Sequence, residues 1–137
     1  MATVYFGLGS NIGNRKEMIT NAIILIGEII GKITAISNFY ETSPEGFDSE
    51  HDFLNIAIAV ETDLEPADIL LRTQAIEREL GRKPNVSGLY EDRCIDIDIL
   101  FYDQLIYESD ALIIPHPLAH LRTFVLLPMS EIAPCYT

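Results

Sequence analysis

The chain has 137 residues, 48% of them hydrophobic, enough for one packed core, so a single domain spanning residues 1–137 is expected. Twenty-one acidic residues against nine basic ones leave a formal charge of -12, which repels nucleic-acid phosphate; a nucleotide stays admissible, because carboxylates can hold divalent ions that bring phosphates with them. Cys94 and Cys135 have neither zinc-site spacing nor disulfide-scaffold density, the N-terminus shows no secretory signal, and the apolar stretch 19–30 carries Asn21 and Glu28, so free thiols and a soluble, cytoplasmic chain are expected.

In chain order, residues 4–8 read as a short buried strand, and Gly7, Gly9 and Gly13 around Ser10 and Asn11 as a turn into a helix. Asn14 with Glu17 three residues on resembles a capping box, and Ile19, Ala22, Ile23, Ile26, Ile29 and Ile30 recur at helical spacing up to Gly31. Residues 33–40 read as a second strand, followed by the turn-rich run 41–46 and a third strand over 53–61. Pro66 suits a first helical turn, Ile69, Thr73, Ile76 and Leu80 share a face, and Gly81 ends this second helix. Residues 95–102 form a β-branched strand, and the tail with Pro115, Pro117, Pro128 and Pro134 reads as irregular. The order βαββαβ predicts an α+β ferredoxin-like sandwich, an antiparallel sheet with both helices on one face and the other face open for chemistry.

Strand side chains alternate between faces, so Leu54, Ile56, Ile58 and Val60 belong under the helices, with Phe53, Asn55, Ala57 and Ala59 opposite. By the same alternation Ile95, Ile97 and Ile99 point inward, while Asp96 and Asp98 stand side by side on the open face, spaced to converge on a hard cation. An Asp-x-Asp pair alone also fits a solvated surface. Arg93 just before it, with Arg82, Lys83 and Arg122 in the same half of the chain, turns the reading toward magnesium and phosphate, and so toward phosphoryl-type transfer. His116 between two prolines can donate to a phosphate oxygen or serve structure alone. Asn55 beside Phe53 can pair with a stacked planar heterocycle or cap a neighbouring backbone group. The glycine loop lacks the lysine and spacing of a P-loop and the dinucleotide fingerprint.

Six ordered blocks then converge: Gly7-Leu8-Gly9-Ser10-Asn11, Tyr40-Glu41-Thr42-Ser43-Pro44, Phe53-Leu54-Asn55, Glu77 with Gly81-Arg82, Arg93-Cys94-Ile95-Asp96-Ile97-Asp98-Ile99-Leu100, and Ile114-Pro115-His116-Pro117. Along nearly its whole length, including the closing stretch 122–134, the chain resembles the 6-hydroxymethyl-7,8-dihydropterin pyrophosphokinase family. The resemblance implies transfer of pyrophosphate from ATP to 6-hydroxymethyl-7,8-dihydropterin in folate biosynthesis, with two Mg2+ ions on Asp96 and Asp98. It implies ATP contacts from Glu77, Arg82, Arg93, Ile99, His116 and Arg122, and a catalytic set of Arg82, Arg93, Asp96 and Asp98. It further implies a pterin held between Phe53 and Phe124, read by Thr42 and Asn55, in a pocket shaped by Pro44.

At three positions the chain departs from many members: Pro84 stands in place of an arginine, Tyr90 in place of a tryptophan, and Glu45 in place of an apolar residue. The turn-rich segments 41–52 and 83–92 are expected to close over substrate. Two rival readings use the same residues. An ordinary kinase would release ADP instead of AMP, and a non-catalytic ferredoxin-like sensing module would bind ligand without Asp96.

Overall fold

The computed structural model describes residues 1–42, 52–81, 94–116 and 123–133. Its elements are β1 (Ala2–Ser10), α1 (Arg15–Ile29), β2 (Lys32–Ile36), β3 (Tyr40–Thr42), β4 (Phe53–Thr62), α2 (Pro66–Glu79), β5 (Asp96–Tyr102), a short hairpin of β6 (Tyr107–Glu108) and β7 (Ile113–Ile114), and α3 (Thr123–Ile132). The main sheet runs β2-β4-β1-β5 with every pairing antiparallel, the arrangement expected of a ferredoxin-like βαββαβ sandwich.

The expected second strand is split in two, and both pieces lie along β4. Lys32 to Ile36 pair with the stretch from Glu61 to Ile58, and Tyr40 to Thr42 with the stretch from Asn55 to Phe53. Ser37 accounts for the break. Its N–H donates to the Ala57 carbonyl at 2.9 Å, its hydroxyl accepts the Ala57 N–H at 2.9 Å, and the same hydroxyl donates to the Asn38 carbonyl at 2.8 Å. A side-chain oxygen thus replaces a backbone carbonyl in the ladder, and the chain steps outward before rejoining it.

Gly9 also differs from expectation, since β1 continues to Ser10 and Gly9 lies within the strand together with Gly7. Of the three glycines, Gly13 lies in the turn, with φ 72°. The helix signals hold. The Asn14 side chain accepts the Glu17 N–H at 3.2 Å and its amide reaches the Glu17 carboxylate at 3.0 Å, while α2 begins on Pro66 and its end is followed by Gly81 at φ 98°. Gly31 is required sterically, because a Cβ there would overlap the Glu61 carbonyl.

The core lies between the sheet and the helix pair: Val4, Phe6 and Leu8 of β1, Ile56, Ile58 and Val60 of β4, and Ile97 and Ile99 of β5 pack with Ile19 and Ile26 of α1 and Ile69 and Ile76 of α2. The opposite face is only half open. There α3 sets Met129 and Ala133 onto Ala57, Leu100 and Phe101. A shift in the β1 to β5 register makes this possible: Tyr5 pairs with Phe101 and Phe6 with Ile99, so Leu100 is an extra residue and joins Phe101 in packing beneath α3. Gly7 makes room for it, a Cβ there falling 3.3 Å from Leu100 Cδ1. The tail read as irregular because Pro128 lies inside α3, where it lacks the N–H that would reach the carbonyl four residues back. Burial of Met129 against the sheet overrides that local signal.

Candidate active site

The strand registers set out two rows on the second face, the second of which begins under α3 at Ala57. Gly9 of β1 pairs with Asn55 of β4 on one side and with Asp96 of β5 on the other; Gly7 pairs likewise with Ala57 and Asp98. Residues directly opposite one another share a face, so Asn55, Gly9 and Asp96 form one line across the sheet, about 10 Å from end to end at two strand spacings. The central position of that line has no side chain. A Cβ on Gly9 would sit 3.0 Å from Asn55 Oδ1 and 3.5 Å from Phe53 Cδ1. The result is a flat shelf walled by Phe53 and Asn55 at one end and by the carboxylate pair at the other.

Asp96 and Asp98 stand on this face as alternation required, both partly exposed, with backbones roughly 6.5 to 7 Å apart. Among the described residues no group of three or more His, Cys, Asp or Glu side chains suited to a metal is found. Two carboxylates nonetheless match the needs of magnesium, which takes one or two carboxylates and completes its shell with water and substrate phosphate. A third carboxylate approaches β5 from α2: Glu77 Oε2 accepts the Ile97 N–H at 2.8 Å, on the edge of β5 away from β1. The peptide of His116 occupies the same edge, its N–H donating to the Leu100 carbonyl at 3.0 Å.

Beside that edge lies a cavity of about 300 Å³ lined by Leu70 of α2, by Ile97, Asp98 and Ile99 of β5, and by Asp110, Ala111, Leu112, Ile113 and His116 from the hairpin region. It unites three expected residues, Asp98, Ile99 and His116, at one site. Leu70 and the residues from Asp110 to Ile113 were not singled out by the sequence. Leu70 resembles any helical core residue, and the others fall in a stretch whose prolines mask its pairing.

Asn55 is 4% exposed, and its amide donates to the Tyr40 carbonyl at 3.4 Å, so the backbone-capping role left open by the sequence is realised. Its carbonyl oxygen lies against Gly9. Tyr40 pairs with Asn55 and Thr42 with Phe53, which sets β3 as the far wall of the recess. Arg15 of α1 links Glu41 to Asp52, donating to the Glu41 carboxylate at 3.1 Å and to the Asp52 carbonyl at 2.9 Å.

A cluster missed in the sequence joins β3 to α3. Glu131 accepts the Asn38 N–H at 3.1 and 2.9 Å through its two oxygens, the Asn38 side-chain amide at 3.2 Å, and the Tyr40 hydroxyl at 2.8 Å. The Asn38 N–H, foremost, and then the tyrosine hydroxyl lower the Glu131 pKa, and the carboxylate in turn raises that of Tyr40. The sequence offers Glu131 only as part of the closing stretch that shares the family resemblance, with no partner indicated.

For Thr42 and Phe124 the structure gives backbone positions, in β3 and α3 respectively. Pro44, Arg82, Arg93 and Arg122 lie outside the described residues, as do the departures at Glu45, Pro84 and Tyr90 and most of the two expected closing segments. No helix among the described residues is long and apolar enough to cross a membrane.

Residues 5–134 match the family described as 7,8-dihydro-6-hydroxymethylpterin-pyrophosphokinase (HPPK). The chain is similar to 2-amino-4-hydroxy-6-hydroxymethyldihydropteridine pyrophosphokinase of Porphyromonas gingivalis (strain ATCC 33277), at 46% identity over 98% of this chain and 92% of that relative. A protein of the same name from Bacillus subtilis (strain 168) is 40% identical over 93% of this chain and 76% of its own. The fold is shared with wild-type HPPK-DHPS of Plasmodium falciparum at a TM-score of 0.75 and 19% identity, over 98% of this chain; the match spans 40% of that longer chain. The chain belongs to the 7,8-dihydro-6-hydroxymethylpterin-pyrophosphokinase family.

Proposed function

We propose that this chain, as a single pyrophosphokinase domain, transfers the pyrophosphoryl group of ATP to the hydroxymethyl oxygen of 6-hydroxymethyl-7,8-dihydropterin, giving AMP and the pterin diphosphate, a step of folate biosynthesis. The observation that carries the reading is the line Asn55, Gly9 and Asp96 across three adjacent strands: a flat recess for a ring and a carboxylate pair for a metal stand within one small molecule's reach. The cavity beside β5 supports the nucleotide assignment, since its 300 Å³ lies at the lower end of ligand-pocket sizes and Asp98 belongs to both its lining and the shelf.

In this reading the base of ATP lies among Leu70, Ile99 and Leu112, and the phosphates run past His116 toward Asp98. Asp96 and Asp98 would hold Mg2+, two ions by family resemblance, and the metal when bound neutralises phosphate charge and acidifies the acceptor alcohol. Arg82, Arg93 and Arg122 supply guanidinium donors to the phosphates. On the acceptor side, the absent side chain of Gly9 lets the pterin lie close to the sheet, Phe53 and Phe124 stack on its faces, and Thr42 and Asn55 read its polar edge, with Pro44 shaping the pocket. The alcohol oxygen bonds to the β-phosphorus as the bond from that phosphorus to the α,β-bridging oxygen breaks, AMP departs with the bridging oxygen, and the alcohol proton passes to a carboxylate or to water. The strongly acidic charge supports small-molecule partners over nucleic acid, and a cytoplasmic setting suits the pathway.

Incubation of the purified chain with Mg2+, ATP and the dihydropterin, followed by separation of nucleotides, tests this. AMP and pterin diphosphate are expected, with loss of at least about a hundredfold in Asp98→Ala. ADP in place of AMP would assign an ordinary kinase, and ligand binding without either product would assign a sensing module.

A further inference from the structure

One exposed carboxylate on α3 gathers its donors from a single short stretch of distant chain. The bonds from Asn38 and Tyr40 to Glu131 join α3 to the step between β2 and β3, across more than 90 positions of sequence. Packing does not require an acid here, because Glu131 is solvent-exposed and its truncation would open no cavity. Surface carboxylates ordinarily hold one partner loosely; this one is fixed by a backbone N–H, a side-chain amide and a phenol at once.

What those bonds hold apart is informative. On β3, Tyr40 pairs with Asn55, and two residues on, Thr42 pairs with Phe53. On α3, positions 124 and 131 are seven residues apart, about two helical turns, and so fall on one stripe. The clamp therefore ties the element that contains Phe124 to the element that contains Thr42. We propose that Glu131 is a positioning residue for the pterin pocket: by grasping Asn38 and Tyr40 it ties α3 to β3, which is paired to β4 at Thr42 and Phe53, and so fixes the gap between α3 and the Phe53 end of β4 at the width of one flat ring. This rests on the pocket assigned above. A ring stacked on both faces needs roughly 3.5 Å on each side, and a gap wider by half to one ångström forfeits a quarter to a half of that contact energy. The nucleotide cavity is built on β5, with β1 standing between it and β4, so it should not register the loss.

The test uses the full chain in steady-state AMP assays with each substrate varied in turn. Glu131→Ala is expected to raise the KM for the pterin about tenfold, the scale of lost charge-assisted hydrogen bonds, while the KM for ATP stays within about twofold. Glu131→Gln, which keeps an acceptor, should recover part of the loss. Tyr40→Phe removes one hydroxyl only and covers the case in which the alanine variant does not fold; it should raise the pterin KM about threefold, and combining it with Glu131→Ala should add nothing. An unchanged pterin KM in all variants overturns the proposal, as does a parallel rise in both KM values that tracks a fall in Tm. If the wild-type chain forms no AMP, the pocket assignment fails and this role with it. AMP from the wild type with variants of normal pterin KM removes the role of Glu131 alone.

Discussion

At position 9 a hydrogen stands where any other residue would place a carbon against Asn55 and Phe53. Gly9→Ala is expected to push the Asn55 amide aside and raise the pterin KM about tenfold, the lower range of overpacking costs. Its Tm should hardly move, since alanine also restricts the unfolded chain, by about 0.4 to 1 kcal/mol; substrate kinetics beside a melting curve check both halves. The Glu131 and Tyr40 pair makes a second prediction at this scale. Glu131 has a folded-state pKa below its ordinary 4.5, so its contribution to stability is present above that value and lost as pH falls through the lower one. Tyr40 is shifted above its ordinary 10.0, so its contribution is present below 10.0 and lost as pH rises through the higher value. Melting curves across pH should therefore lose part of their acid slope in Glu131→Gln and part of their alkaline slope in Tyr40→Phe. Of these residues, Asp96, Asp98, Phe53 and Asn55 were legible from alternation, because a two-residue period fixes a face without knowledge of the partner strand. Gly9 and Glu131 were not, since their meaning depends on what stands opposite: a glycine beside a turn motif looks like part of the turn, and an acid near the end of a chain looks like surface.

Among the elements, those with local signatures matched their reading. The Asn14 cap, Pro66 at the start of α2 and Gly81 after its end each act within one turn of the chain, and the hydrophobic stripe of α1 needs only its own sequence. Where a tertiary contact decides, the sequence misleads. Ser37 splits a strand by borrowing a place in the β4 ladder, and α3 forms around Pro128 because the sheet beneath it takes up Met129. The core between sheet and helix pair was legible as a set of residues, and it should dominate stability. Ile58 is fully buried at its centre, so Ile58→Ala is expected to cost about 2 to 5 kcal/mol, measured by chemical denaturation with the slope of the transition unchanged.

For the whole molecule, chemistry collects at one end of the sheet because α3 occupies the other. The half-covered face could not be foreseen from an element order that ends at the fourth expected strand, and the extra residue Leu100, which lets two successive apolar side chains meet α3, leaves no pattern distinct from an ordinary buried run. The charged segments that carry Arg82, Arg93 and Arg122 were recognised by motif, and motif remains their warrant.

The capping of β5 at two of its edge groups has a consequence for assembly. Glu77 takes the outward N–H of Ile97, and the peptide of His116 takes the outward carbonyl of Leu100, so at these two places the margin offers an incoming strand no partner. Growth of a fibre by strand addition requires adhesive margins on both sides of every unit. With part of one margin capped from within, strand addition is disfavoured there, and the side chain of α2 and the peptide beside the β5 cavity that do the capping also guard the fold against open-ended polymerisation.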